Sequence, residues 1–322
     1  MGLSLATMNR LAGVAILPMM LLAILAFSKA ARPAASLPLP ADGLVVVANL
    51  RAESLTFHHL SSGETTTLAL PGPPHELLSL NSRLYVTLGR ANLVAEVDPA
   101  GPGILRLLSL SGEPHGITEH DGSLLVSLDK GNSVVTIDPA TFTEVHRETT
   151  GETPHVVAAS SVGVFVTDSR DNAIRRLGPS LATAPTGELP EGLAIAGERV
   201  VTADYLSGTL SVFDAAALAP LGSISVGAGP VRVVALDGRR ALVTTQGDPR
   251  LLVVDVTRLR VEKGLEVPAR PDGICLSPDG SHLGIASNAA GTVTVFAADG
   301  WRPAGTLTAG DGPGACLWLP SR

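Results

Sequence analysis

Aromatic residues make up only 3% of this 322-residue chain, as two Trp, two Tyr and six Phe. Single-stranded nucleic acids stack on aromatic faces, and sugar sites use the same surfaces, so this scarcity argues against both partners. Basic clusters are missing as well. Lys and Arg number 23 against 30 Asp and Glu, for a net charge of -7. No run of Lys or Arg supplies the positive surface that a phosphate backbone requires, and no nucleic-acid partner is expected. Cysteine occurs twice, at Cys275 and Cys316, without a CxxC spacing, which excludes a cysteine-built zinc cluster. Nucleophile elbow, phosphate loop, zinc-protease helix and dinucleotide fingerprint are all absent. The reactions those motifs announce are disfavoured with them.

What the chain does have is turn chemistry and a period. It carries 34 Gly and 24 Pro in a sequence that is 45% hydrophobic, the composition of many short strands joined by tight turns. A proline recurs at Pro74, Pro114, Pro154, Pro190, Pro230, Pro271 and Pro313, at intervals of 40, 40, 36, 40, 41 and 42 residues. A period near 40 with four strands per unit is the mark of a β-propeller blade. In the unit opening at Pro114, His115–His120 reads as the innermost strand, A, and Asp121-Gly122 as a hairpin turn. Leu124–Leu128 then reads as strand B, Ser133–Ile137 as C and Glu144–Thr149 as D. After Pro313 there is room for one strand, Ala315–Leu319. Leu44–Val47, Ser54–Leu60 and Thr65–Leu70 supply B, C and D at the other end. The predicted fold is therefore all-β: a seven-bladed propeller over residues 43–322, its last blade shared by the two termini so that no sheet edge is left open.

Ahead of the propeller, Leu11–Phe27 is apolar and uncharged, with Arg10 before it and small residues after it. Residues 1–30 read as a signal peptide or an N-terminal membrane anchor, and the Pro/Ala-rich residues 31–42 as a linker. Export to the periplasm or the exterior is expected, with the membrane touched only through residues 11–27 if the segment is retained. Cys275 lies four residues after its proline and Cys316 three after its own, so they point to opposite faces of their sheets. They form a disulfide if those faces look at each other, and are two buried thiols if not.

The residue after each repeat proline forms a column: His75, His115, His155, Glu191, Val231, Asp272 and Gly314. In a propeller this position lies at one mouth of the central channel. Three imidazoles from consecutive blades followed by a carboxylate suit a divalent transition metal, with His75, His115, His155 and Glu191 as candidate ligands. The same histidines also suit a structural role, capping strand A against backbone groups of the next blade. Arg232, two residues after Pro230, together with the loop arginines Arg90, Arg170 and Arg250, suits an organic anion. His75, His115, His155, Glu191, Arg232 and Asp272 are the candidate ligand-binding residues; none has an assigned catalytic role. No motif demands a cofactor; a divalent transition metal is the cofactor that the column would suit. The B–C loops DKGN (129–132), DSRDN (168–172) and QGDP (246–249) read as solvated turns. Asp98, Asp138, Asp214 and Asp255, each ending a strand C, read as turn caps.

Leu84–Pro99 (LYVTLGRANLVAEVDP), Leu125–Pro139, Val164–Leu177 and Val200–Val212 resemble the YVTN-type repeat of NHL/WD40-like propellers. That repeat has a Tyr-Val-Thr-Asn-like strand B, an Asp-ended strand C and a Gly-x-x-Pro leading into the next blade. The resemblance spans about residues 43–320, although Leu88 stands where the pattern has Asn. It implies a surface or periplasmic propeller of no fixed activity. Pro114-His115-Gly116 gives a more distant similarity to streptogramin-lyase-like propellers. The expected function is that of a monomeric, exported, non-catalytic scaffold binding a protein or small-molecule ligand at the channel mouth. The alternative is a metal-dependent lyase or hydrolase, with the histidines as ligands and Glu191 as acid/base.

Overall fold

The computed structural model describes residues 38–321. The predicted targeting segment, residues 1–30, lies outside them. Among the described residues, 28 strands form seven four-stranded antiparallel sheets. Blade 1 is built from Leu77–Leu80, Arg83–Leu88, Leu93–Asp98 and Gly103–Ser109. Blades 2 to 6 open with the inner strands Pro114–His120, Pro154–Ser160, Pro190–Ala196, Pro230–Ala235 and Pro271–Leu276. Blade 7 is shared as predicted. The C-terminal Pro313–Leu319 pairs antiparallel with Leu44–Asn49, matching Val45 to Trp318 and Val47 to Cys316, and Ser54–His59 and Glu64–Ala69 complete the sheet.

Packing between blades explains the strand sequences. Strand B is buried along most of its length, as in Leu84–Leu88, because neighbouring sheets cover both of its faces. Strand D is at the rim, and its residues alternate between exposed and partly buried, as in Glu64–Ala69. Among the described residues the hydrophobic core is seven separate clusters, one at each seam between consecutive blades. The seam between blades 4 and 5 buries fourteen apolar side chains, whereas that between blades 2 and 3 buries five: Leu125, Val134, Val157, Val166 and Leu177. A cavity of about 360 Å³ opens beside this thin seam, with His120, His146 and Arg176 on its walls.

Cys275 and Cys316 form a disulfide across the seam between blades 6 and 7, with Cα atoms 5.4 Å apart. Opposite faces of adjacent sheets meet at a seam, so the opposed orientations read from sequence are what the bond requires. Part of the expected linker is docked: Leu39 packs on this same seam, so that the order of the propeller begins before residue 43.

Candidate functional site

The channel mouth is shaped by a bulge that recurs from blade to blade. Pairing between strands A and B slips just after the repeat proline, between Pro114 and Ile117, Pro154 and Val157, Pro190 and Gly192, Pro230 and Arg232, and Pro271 and Ile274. Proline has no N–H for the ladder, and the residue ahead of it turns into the left-handed region even where it is not glycine: Glu113, Thr153, Leu189 and Arg270 have φ of 56°, 56°, 55° and 53°. A bulge re-aims the side chains it carries. Here it turns the column toward the axis.

A strand-B hydroxyl holds the bulge. Thr87 Oγ1 accepts the Glu76 N–H (3.0 Å) and donates to the His115 carbonyl of the next blade (2.6 Å). Ser127 does the same between the Gly116 N–H (2.9 Å) and the His155 carbonyl (2.7 Å). Blades approach closely here. A Cβ on Gly116 would meet the His155 carbonyl oxygen at 2.8 Å, which is why glycine stands at that position.

The structure brings the histidines into an arc. The His75 and His115 ring centroids are 4.6 Å apart, and those of His115 and His155 3.9 Å apart. His115 Nδ1 donates to the His155 carbonyl (3.2 Å), and His155 Nδ1 to the Glu191 carbonyl (3.0 Å). Each of these two rings thus makes the backbone contact expected of a strand cap, and each has its other nitrogen left over. All six candidate residues line one cavity of about 140 Å³. Among the described residues, only His115, His155 and Asp129 place one ligand atom each within 4.8 Å of one another. His115 and His155 line the cavity together with His75 and Glu191, and Asp129 stands outside its lining; His75 and Glu191 are not members of the trio.

Arg232 does not present a free positive charge. It pairs with Glu76, from the opposite side of the ring, at 2.6 Å and with Asp272 at 3.3 Å. Burial opposes its charge, but these two carboxylates outweigh that effect and raise its pKa. Arg250 likewise pairs with Asp248 at 2.6 Å. The anion reading therefore loses its central cation, and the ion-paired Glu76, Arg232 and Asp272 line the same cavity, the cup of the channel mouth.

Burial dominates the electrostatics of the cup. It holds His115 well below the ordinary imidazole value, helped by the neighbouring rings, and takes His155 down to about 4. It pushes Glu191 up to about 7, with Asp272 adding repulsion. Asp129 is also pushed up to about 7, by burial and then by Glu113. At neutral pH the rings are uncharged and these two carboxyls are poised between forms.

Asp129 and Glu76 were not legible as site residues. The solvated-turn reading fails for Asp129: its backbone N–H is tied to the Glu113 carbonyl (3.1 Å), and its Oδ1 is buried without a hydrogen-bond partner among the described residues. It fails too for DSRDN, where Asp168 is buried against Arg175 (2.9 Å) and Ser169 donates to the Pro190 carbonyl (2.6 Å). The turn-cap reading holds. Asp98 and Asp138 accept the N–H two residues on at 3.0 and 2.8 Å, and Asp214 and Asp255 do so at 3.1 and 3.0 Å.

No protein-family model matches the chain, and no curated protein matches it in sequence. Solved structures do match in shape. A functionally unknown protein from Desulfotomaculum acetoxidans DSM 771 superposes with a TM-score of 0.72 at 12% identity, over 87% of this chain and 99% of that one. Kuenenia stuttgartiensis hydrazine synthase gives 0.69 at 17% identity, over 77% and 90%. A streptogramin B lyase gives 0.67 at 15% identity, over 76% and 86%. At such identities the likeness establishes the propeller fold and nothing about activity.

Proposed function

We propose that this chain is an exported, YVTN-type binding propeller, non-catalytic, whose small ligand seats in the cup at the channel mouth. One observation carries the reading: His115 and His155 converge with their Nδ1 atoms tied to backbone carbonyls and a second nitrogen each to offer. The volume favours a small ligand, since about 140 Å³ is well under the roughly 300–1,000 Å³ of drug-sized sites. Export is supported by the signal-like residues 1–30 and by the disulfide, a bond of oxidising compartments. An NMR screen of small ions and polar metabolites tests the reading. Hits should move the His115 and His155 ring signals. Hits confined to the cavity near His120, His146 and Arg176 would contradict it.

A second reading rests on Glu191. A carboxyl titrating near 7 beside uncharged imidazoles is suited to general acid/base work, as a metal-assisted lyase or hydrolase would need. Following the bound compounds over time separates the two. Unchanged compounds support the binder, whereas conversion that is lost in Glu191→Gln supports the enzyme.

A further inference from the structure

We propose that the ligand of the cup is a divalent first-row transition cation, held by one ring nitrogen each of His115 and His155 and by a carboxylate oxygen of Asp129. This rests on the reading of the channel mouth as the binding site and names the class of its ligand. The candidate atoms already lie within 4.8 Å of one another. Ligands about 2.0–2.1 Å from a tetrahedral zinc stand roughly 3.3 Å apart, so a contraction of about 1.5 Å at most closes the site. Asp129 is on a B–C loop and can supply that movement.

Hydrogen bonding sets both rings for the task. A carbonyl oxygen can only accept, so Nδ1 of His115 and Nδ1 of His155 carry the ring hydrogens. A neutral imidazole has one N–H, and the Nε2 lone pair is therefore free in each. A backbone carbonyl behind the ring is also the support that metal-bound histidines use to fix tautomer and orientation. Asp129 contributes an independent sign. Its Oδ1 is buried and accepts no hydrogen bond from any described residue, and a bound cation satisfies such an atom. The surrounding charge is on balance negative: Glu113 and Glu191 act on Asp129 against the neighbouring Lys130, and Arg232 is neutralised by Glu76 and Asp272. Two nitrogen donors select against calcium and magnesium, which take oxygen, and in favour of zinc, nickel or copper. Asp129 thus enters a ligand set that the column alone assigned to His75, His115, His155 and Glu191.

Calorimetric titration of the chelator-stripped full chain with Zn²⁺, and absorption titration with Co²⁺, test this. One ion should bind per chain. His115→Asn, His155→Asn and Asp129→Asn should each weaken binding by at least about 100-fold, since losing even an outer partner of a metal ligand costs roughly 10–100-fold. The Asn variants keep a side-chain N–H for the carbonyl, and their melting temperatures show whether they fold. His146→Asn, on the outer strand Thr143–Thr149 of blade 2, should bind as the wild type does. Absence of stoichiometric Zn²⁺ or Co²⁺, or binding that survives all three substitutions, overturns the proposal. Should a variant fail to fold, X-ray absorption of the zinc-loaded wild type decides: two imidazoles in the inner shell are expected, and none is contrary. If zinc fails while small organic compounds still move the His115 and His155 rings, the cup stands and the cation is wrong; if neither binds, both readings fall.

Discussion

Asp255 shows how much one repeated residue can carry. Its Oδ1 accepts the Thr257 N–H (3.0 Å), the Thr257 hydroxyl (2.7 Å) and the Arg258 N–H (2.9 Å), while Oδ2 pairs with Arg239. Burial alone would raise its pKa, but these donors, the Thr257 hydroxyl foremost, outweigh burial and hold it far below the usual carboxylate range. A carboxylate depressed in the folded state stabilises at pH values above its unfolded pKa, about 3.9, and loses that contribution as pH falls toward the folded value. Asp255→Asn should therefore lower the urea midpoint at pH 7, and the gap from wild type should narrow steadily as pH drops from 4 toward 2. A gap that stays constant across that range would show that the charge contributes nothing. The other caps of this column accept fewer bonds, so the effect should be largest here.

At the scale of the element, the turn before strand A is strained in a way that sequence reading did not anticipate. Thr153 is β-branched and yet sits at φ 56°, where an L side chain costs about 1–2 kcal/mol. Glycine there costs about 0.5–1 kcal/mol through the freedom of the unfolded chain, so Thr153→Gly should raise stability by up to about 1.5 kcal/mol, read as a higher melting temperature. A clear fall would mean that the threonine side chain itself holds the turn. The strands and the shared blade were legible because the chain repeats: the prolines fix the frame, and the single strand after Pro313 fixes closure. The histidine column was legible for the same reason. Glu76, Asp129 and the bridging hydroxyls of Thr87 and Ser127 were not, because each acts on a different blade or loop from its own strand. Those meetings depend on the curvature of the ring, which no spacing within one repeat records. The pairing of Cys275 with Cys316 stayed open in the sequence on the same ground.

At the scale of the whole molecule, stability is distributed over seven seams, and they are unequal. The seam between blades 2 and 3 buries the fewest apolar side chains and borders the 360 Å³ cavity, whereas blade 7, where the chain ends meet, is bonded to blade 6 by the disulfide. Local opening begins where buried contact is least. Native-state hydrogen exchange should therefore be faster in Ser133–Asp138 and Ala173–Arg176, which flank the thin seam, than in the closing pair Leu44–Asn49 and Pro313–Leu319; the reverse order would place the weak point at the closure. A ring held in this way fixes the mouth of its channel, where His115 and His155, with Nδ1 bonded to backbone carbonyls, each keep an Nε2 lone pair free of hydrogen. Long-range proton–nitrogen NMR correlation of the histidine rings, at neutral pH and without added ligand, tests that claim most directly. Neutral rings with hydrogen on Nδ1 and none on Nε2 are expected for both His115 and His155. Hydrogen on Nε2 in either ring, or a doubly protonated imidazolium, would contradict it.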